Sequence, residues 1–449
     1  DLEEEIQHRG DISSIIKQKN DYYIGFKSSG LIQLKYLPDS KVKYAIQSIN
    51  IQSGIFCLMK DRFQDIIWVG ADGQGIYMYF TDEFSIENVL LDVPEYRVNN
   101  PVRALFLDHE QTLWIGTKGG GILRMMDFHP DRETLPQAER ILANNSALMD
   151  NSVYSFAPGR RNSLWIGTED GLNYYSYLTR RIEEFPVIAD GKKVKYVHSI
   201  CETNDSTLWV VSAGEGIVKI TLEASSSLPK VKSAQRFTLD GGKRNSNYFF
   251  VSYQENDSTI WFGNRGYGAY KMNTRTNQLT PCRIDDVVKN QTVNDIFAIH
   301  KNDEGYWFGT SFGLTRLYQG EYRVYNETDG FPNNTIHGIL EGRDNNLWLS
   351  TNQGMVRFNV RENTVQTYRQ QGDLEVIEFS DGAFFKDQQT GTLFFGGTNG
   401  FITITENDHM SEEYMPPLHF NRLSIFGKEC NIYDFLQGPK QETLVLDYS

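Results

Sequence analysis

Cysteine is scarce in this chain. Its four copies among 449 residues (Cys57, Cys201, Cys282 and Cys430) stand far apart, and no Cys-x-x-Cys occurs. That pattern supports neither a redox motif nor a zinc site, and small buried hydrophobes are the expected role. The eight histidines are scattered, without His-x-x-x-His or His-Glu-x-x-His, so no metal and no cofactor is expected. Positive charge is also short: 44 Lys and Arg face 58 Asp and Glu, giving a net charge of −14 and a pI near 5.1. Without a long basic run, nucleic acid is not expected as a partner. No apolar run approaches the roughly 20 residues of a membrane span, and no window keeps a helical period for three turns. The sequence starts at Asp1 with no signal segment, as expected of a processed or excised piece of a longer protein.

What is abundant is aromatic, at 13% of residues, and it is ordered. Trp68, Trp114, Trp165, Trp209, Trp261, Trp307 and Trp348 all occupy one position of a phrase close to hydrophobic-Trp-Ile-Gly-Thr-x-x-Gly-hydrophobic. Tyr23 and Phe394 hold that position in a first and a ninth copy, and the intervals run 45, 46, 51, 44, 52, 46, 41 and 46 residues. Within the copy around Trp348, short apolar runs alternate with Asp, Asn and Gly clusters of the kind that make turns. Four strands per copy at this period predict a blade of a β-propeller. Each Trp is expected between neighbouring blades, the following Gly where a backbone comes close, and the later Gly in a turn. The recurrent acidic residues Asp108, Glu202, Glu255 and Asp303 read as turn chemistry.

Two further signals mark the end of the repeats. The ninth copy, Glu378-Phe-Ser-Asp-Gly followed by Gly391-Thr-Leu-Phe-Phe-Gly-Gly, replaces Trp by Phe and doubles the Gly. After a Pro-Pro linker comes Leu418-His-Phe-Asn-Arg-Leu-Ser-Ile-Phe426, where the period is lost. Together these elements resemble the periplasmic sensor region of hybrid two-component systems, in which two-component-regulator propeller repeats precede a triple-tyrosine (YYY) β-sandwich domain. The resemblance implies an all-β chain with a seven-bladed propeller at 95–410, two blades of a preceding propeller at 1–94, and a partial YYY domain at 416–449. A single ring of eight or nine blades is the alternative arrangement. It also implies a periplasmic, non-enzymatic sensor for an oligosaccharide derived from a complex glycan. Such a sensor forms a homodimer and is joined to the membrane and a histidine kinase through further C-terminal segments.

Propellers bind ligands at the ring's mouth, near the start of each innermost strand. The position eleven residues before the repeat Trp reads Arg103, Tyr154, His198, Phe250 and His337, with Phe297 equivalent after a one-residue deletion. Aromatic and planar polar groups there suit sugar recognition, although they equally suit the filling of a narrow channel. A second candidate cluster surrounds the fifth Trp: Lys243, Arg244, Asn245, Asn247 and Tyr248 before it, Arg265 and Tyr267 after it. Its cations, with Lys118, would suit an anionic sugar. The ligand-binding candidates are therefore Arg103, Lys118, Tyr154, His198, Arg244, Asn247, Tyr248, Arg265, Tyr267 and His337. A propeller enzyme acting on polysaccharide would need two carboxylates in one pocket. A protein-interaction scaffold would need only a patterned surface.

Overall fold

The computed structural model describes residues 6–406, apart from 19, 37–42, 50, 52, 63–65, 81–83, 131–135, 205, 225, 243–245, 283, 285–289, 370–373 and 377. Beyond 406 it describes the short strand pairs Leu423–Ile425 with Lys428–Cys430 and Leu436–Gln437 with Thr443–Leu444. The rest of the expected YYY segment lies outside the described residues.

Each repeat from the third to the eighth builds one four-stranded antiparallel sheet, its strands joined in sequence order by the Asn, Asp and Gly turns, and the ninth supplies three strands of a seventh sheet. The copy around Trp348, for instance, gives Ile336–Glu341, Asn346–Thr351, Gly354–Asn359 and Thr364–Tyr368. The first strands of these sheets are Val102–Leu107, Val153–Gly159, Val197–Asn204, Phe249–Asn256, Ile296–Asn302, Ile336–Glu341 and Phe379–Lys386. Each packs beside the next, and Phe379–Lys386 packs beside Val102–Leu107. Seven sheets thus close a ring around their first strands, and a single ring of all nine copies does not form.

The repeat residues explain the closure. Every repeat aromatic of the ring is buried against the second strand of the following sheet. Trp114 packs with Leu164 and Ile166, Trp165 with Leu208 and Val210, and Trp209 with Ile260 and Phe262. Trp261 continues with Phe308, Trp307 with Leu347 and Leu349, and Trp348 with Leu393 and Phe395. Phe394 then packs with Leu113 and Ile115 and completes the circle. Burying a ring of this size removes 150–250 Å2 of surface from water, so these contacts dominate the cohesion between blades. Close approach of the sheets requires the following Gly: a Cβ on Gly167 would lie 2.6 Å from the Val197 carbonyl oxygen of the next first strand. The Thr of the phrase holds the turn, since Thr168 Oγ1 donates to the Gly171 carbonyl at 2.9 Å and Thr351 Oγ1 to that of Gly354 at 2.8 Å.

The recurrent acidic residues have a more specific task than turn formation. Trp114 Nε1 donates to Asp108 at 2.8 Å, Trp261 Nε1 to Glu255 at 2.8 Å, and Trp165 Nε1 to Glu202 of the next sheet at 2.9 Å. Asn302 serves Trp307 instead of the neighbouring Asp303, and Glu406 serves Trp348. Asp108 also accepts the backbone N–H groups of Glu110 and Thr112, so one carboxylate fixes both turn and indole. Among the described residues, Trp209 Nε1 is buried without a hydrogen-bond partner.

The seventh sheet departs from the sequence partition. Its strands Phe379–Lys386, Leu393–Gly397 and Gly400–Glu406 are followed in the sheet by Phe84–Leu90, which pairs with Gly400–Glu406 from Leu90↔Gly400 to Phe84↔Glu406. The compact unit containing the ring accordingly spans Phe84–Asn407, and the boundary expected at 95 cuts off a strand that belongs to it. A second unit holds Asp1–Glu83 and Asp408–Ser449. In it the first copy forms a four-stranded sheet, Ile12–Gln18, Asp21–Phe26, Leu31–Tyr36 and Tyr44–Ile49, and the second a three-stranded one, Ile55–Lys60, Ile66–Ala71 and Gly75–Phe80.

Candidate functional site at the mouth of the ring

The residues singled out at the start of each first strand share a backbone device. In six of the seven ring sheets the pairing of the first two strands skips one position at the start of the first strand. Val102 and Ala104 pair while Arg103 does not, and the same holds for Tyr154, His198, Phe250, Phe297 and His337. Such a β-bulge breaks the alternation of a strand and re-aims the unpaired side chain. Here it turns these side chains toward one another around the ring axis. In the seventh sheet the interruption is longer, running from Phe379 to Phe384 and including Ser380, Asp381 and Gly382. Gly382, at φ 76°, reaches across: a Cβ there would lie 3.5 Å from the Arg103 carbonyl oxygen and 3.9 Å from that of Tyr154.

The bulged side chains form a nearly continuous belt. The Arg103 guanidinium lies 6.0 Å from the centre of the Tyr154 ring, which stacks on His198 at 4.3 Å. His198 meets Phe250 edge-on at 4.8 Å, and Tyr248 stacks on Phe250 at 6.4 Å. Phe297 lies 5.8 Å from His337, whose Nδ1 bonds to Asp381 Oδ1 and whose Nε2 lies 2.6 Å from Asn352 Oδ1. Asp381 Oδ2 stands 3.9 Å from Arg103 and so joins the seventh sheet to the first.

Burial sets the electrostatics. It holds the His198 imidazole far below its ordinary range, at about 3, with the Arg103 charge acting in the same direction. Burial raises the Tyr154 phenol to about 12, helped by its bond to Glu169 at 3.0 Å. For the Asp381 carboxyl, burial acts upward, but the bond to His337 and the charges of His337, Arg103 and Arg265 outweigh it and hold it ionised. Arg103 is the unbalanced member. Its side chain is 19% exposed and its Nε is buried without a partner. Its separation from Asp381 is too long for a hydrogen bond.

The sequence candidates therefore divide. Arg103, Tyr154, His198 and His337 come together in the belt, and Tyr248 adjoins it. Lys118 and Arg265 are exposed, and their charges act on His198 and Asp381 respectively. Asn247 offers nothing to a ligand: it is fully buried, and its amide exchanges bonds with the Leu239 backbone at 2.7 and 3.1 Å. Tyr267 packs on the cluster around Trp209 and Phe262. Arg244, with Lys243 and Asn245, lies outside the described residues. Three members of the site were missed: Asp381, Asn352 and Glu169. Asn352 and Glu169 follow the Thr of the repeat phrase, the position held by Lys118, which was the available signal.

Residues 97–119, 147–170 and 330–353 match the family described as Two component regulator propeller. Three of the seven ring sheets thus carry segments that match two-component-regulator propeller repeats. It is similar to Histidine kinase P4 of Formosa agariphila, at 23% identity over 329 residues, which cover 71% of this chain and 23% of that protein. Among solved structures it is similar to the extracellular domains assigned to the hybrid two component systems BT3049 and BT4673 of B. thetaiotaomicron. The first gives a TM-score of 0.59 at 22% identity and the second 0.58 at 20%, each covering 94% of this chain and 56% of the other. The chain thus spans about a quarter of the curated relative and about half of each solved domain, and the structural likeness bears on the fold.

Proposed function

We propose that this chain is the extracytoplasmic, periplasmic ligand-sensing region of a hybrid two-component receptor. Its ligand is an oligosaccharide derived from a complex glycan. Binding is relayed through the segment at 416–449, as a YYY domain, to a membrane-linked histidine kinase in a homodimeric receptor that regulates transcription. Residues 1–94 supply the last blades of a preceding propeller, apart from the strand given to the ring. The open edge of Gly75–Phe80, with Ile76 and Met78 exposed, fits a place where such a propeller continues.

The observation that carries the ligand reading is the belt itself. Six sheets bulge at one position and the seventh over a longer stretch, and the side chains placed there include Arg, Tyr, His, Phe, Phe, His and Asp rather than the Val and Ile of ordinary strand packing. Aromatic faces beside planar hydrogen-bonding groups are the chemistry that recognises sugars. An enzyme reading finds less support. Asp108, Glu202 and Glu255 are bonded to indoles, Glu169 to Tyr154, and Asp381 to His337. A signal arises only if the ligand prefers one arrangement of the receptor over another.

Calorimetric titration of the chain with neutral and anionic oligosaccharides, alongside His337→Ala, tests this reading. Micromolar binding without turnover, weakened in the variant, is expected. Cleavage of a bound sugar would replace the sensor with an enzyme.

A further inference from the structure

Arg103 carries five N–H donors on a side chain that is mostly buried. Among the described residues it makes one ion pair, too long for a hydrogen bond, and its Nε has no partner. Buried guanidinium groups are ordinarily bonded on several sides, because an unanswered charge-bearing donor in a low-dielectric site is costly. The carboxylate best placed to answer it does not. Asp381 is drawn to His337 by its Oδ1, which leaves Oδ2 at 3.9 Å from the guanidinium. Glu169, the other acid beside Tyr154, accepts from the Tyr154 hydroxyl.

The charges around this gap are unbalanced in the same sense. Lys118 and Arg265 follow the repeat Thr or its Asn264 equivalent, are exposed, and act electrostatically on the belt. With Arg103 they put three cations against Asp381 and Glu169, in a protein whose overall charge is −14. His198 adds no charge, since burial keeps its ring neutral. A locally cationic mouth on an acidic body attracts anions and repels the rest of its own surface.

We infer that the mouth takes an anionic saccharide, with a carboxylate or sulfate of the sugar accepting from the Arg103 guanidinium and Lys118 and Arg265 flanking it. A planar or tetrahedral oxyanion matches the guanidinium fork in two places at once, which a neutral hydroxyl does not. The inference rests on the oligosaccharide reading given above and narrows it to acidic sugars.

The test is titration of the full chain, at two salt concentrations, with three sets of probes. These are oligosaccharides of galacturonate, glucuronate and mannuronate, sulfated galactan oligosaccharides, and the neutral counterparts of each. At least one anionic probe is expected to bind at least about tenfold more tightly than its neutral counterpart, less so at high salt. Arg103→Gln should abolish that preference, and Arg103→Lys should restore part of it. Lys118→Ala, an exposed substitution that leaves the belt packed, should weaken anionic binding about two- to threefold and serves if the Arg103 variants unfold. Carboxylated and sulfated probes tell the two sources of charge apart. Equal binding of neutral and anionic probes, unchanged by Arg103→Gln, would overturn the acidic-sugar inference and leave the oligosaccharide sensor standing. Failure of every probe to bind would overturn both.

Discussion

Tyr154 and His198 come from neighbouring first strands and lie face to face, with centroids 4.3 Å apart and planes 10° from parallel. Neither residue would be read as core in an ordinary strand, yet the bulge that frees each from its ladder also presses the two rings together. The stack and the side chains around it shield much of the imidazole from water, and that has a consequence for acid stability.

The His198 ring holds off protonation until about pH 3 in the folded chain, against about 6.5 when it is free. Between these values the unfolded state binds the proton and the folded state does not. Its contribution to stability is therefore complete above about pH 6.5 and declines as the pH falls toward 3. In an NMR titration the His198 ring should show no protonation step from pH 8 to pH 5, and His198→Phe should flatten the decline in stability over that range. A His198 step near pH 6 would contradict the buried stack.

Glu255 behaves with the same sign through a different cause. Burial acts against its charge, but bonds from Lys301 at 2.7 Å, Trp261 at 2.8 Å and Tyr306 at 2.8 Å overcome it and hold the carboxyl at about 2. Stability from this group is present above about pH 4.5 and lost as the pH falls to about 2, amounting to about 3 kcal/mol at most. Urea unfolding of Glu255→Gln should differ from the parent at pH 7 and converge with it near pH 2.

The repeat tryptophans should not be equal. Trp307→Ala should cost about 3–5 kcal/mol in chemical unfolding, the usual result of emptying a filled aromatic site. The Phe substitution isolates the N–H. At Trp114 it removes the shorter of two hydrogen bonds to the Asp108 Oδ2, leaving the one from the Tyr177 hydroxyl at 3.2 Å, whereas at Trp209 it removes an N–H that is unpartnered among the described residues. Trp114→Phe should therefore be more destabilising than Trp209→Phe by about 1–2 kcal/mol.

The ring depends on a strand that precedes its first sheet. Truncation to residue 80 should leave the ring unit protease-resistant. Truncation to residue 90 removes the partner of Gly400–Glu406 and the Phe84 ring that meets Trp348 at 4.9 Å. The shorter form should lose thermal stability and expose the region around residue 400 to limited proteolysis. Equal melting temperatures for the two truncations would show that Phe84–Leu90 is dispensable.

The repeats were legible because each carries its large aromatic, its Gly and its turn residues at fixed spacing, and one physical task recurs in every copy. The bulged belt was legible for the same reason, as a position where Arg, Tyr, His and Phe displace the β-branched residues of a regular strand. Asp381 was not legible. The seventh sheet inserts three residues where the others insert one, so counting back from Phe394 does not find it. The origin of the last outer strand was hidden too: Phe84–Leu90 looks like the end of the second copy, and only its pairing with residues 400–406 reveals its membership. Asn247 misled because a polar residue near Lys, Arg and Tyr resembles a binding loop, while its amide in fact replaces missing backbone partners at Leu239.

Phe84 and Glu406 are register partners at one end of the seventh sheet. The chain therefore comes into the ring and goes out of it at a single point, with the two backbones about 5 Å apart. In topological terms the ring is a closed loop hung on a continuous thread. Tension applied across that point would unzip the pair one rung at a time rather than shear it all at once, which makes the seam a mechanically soft place in the ring.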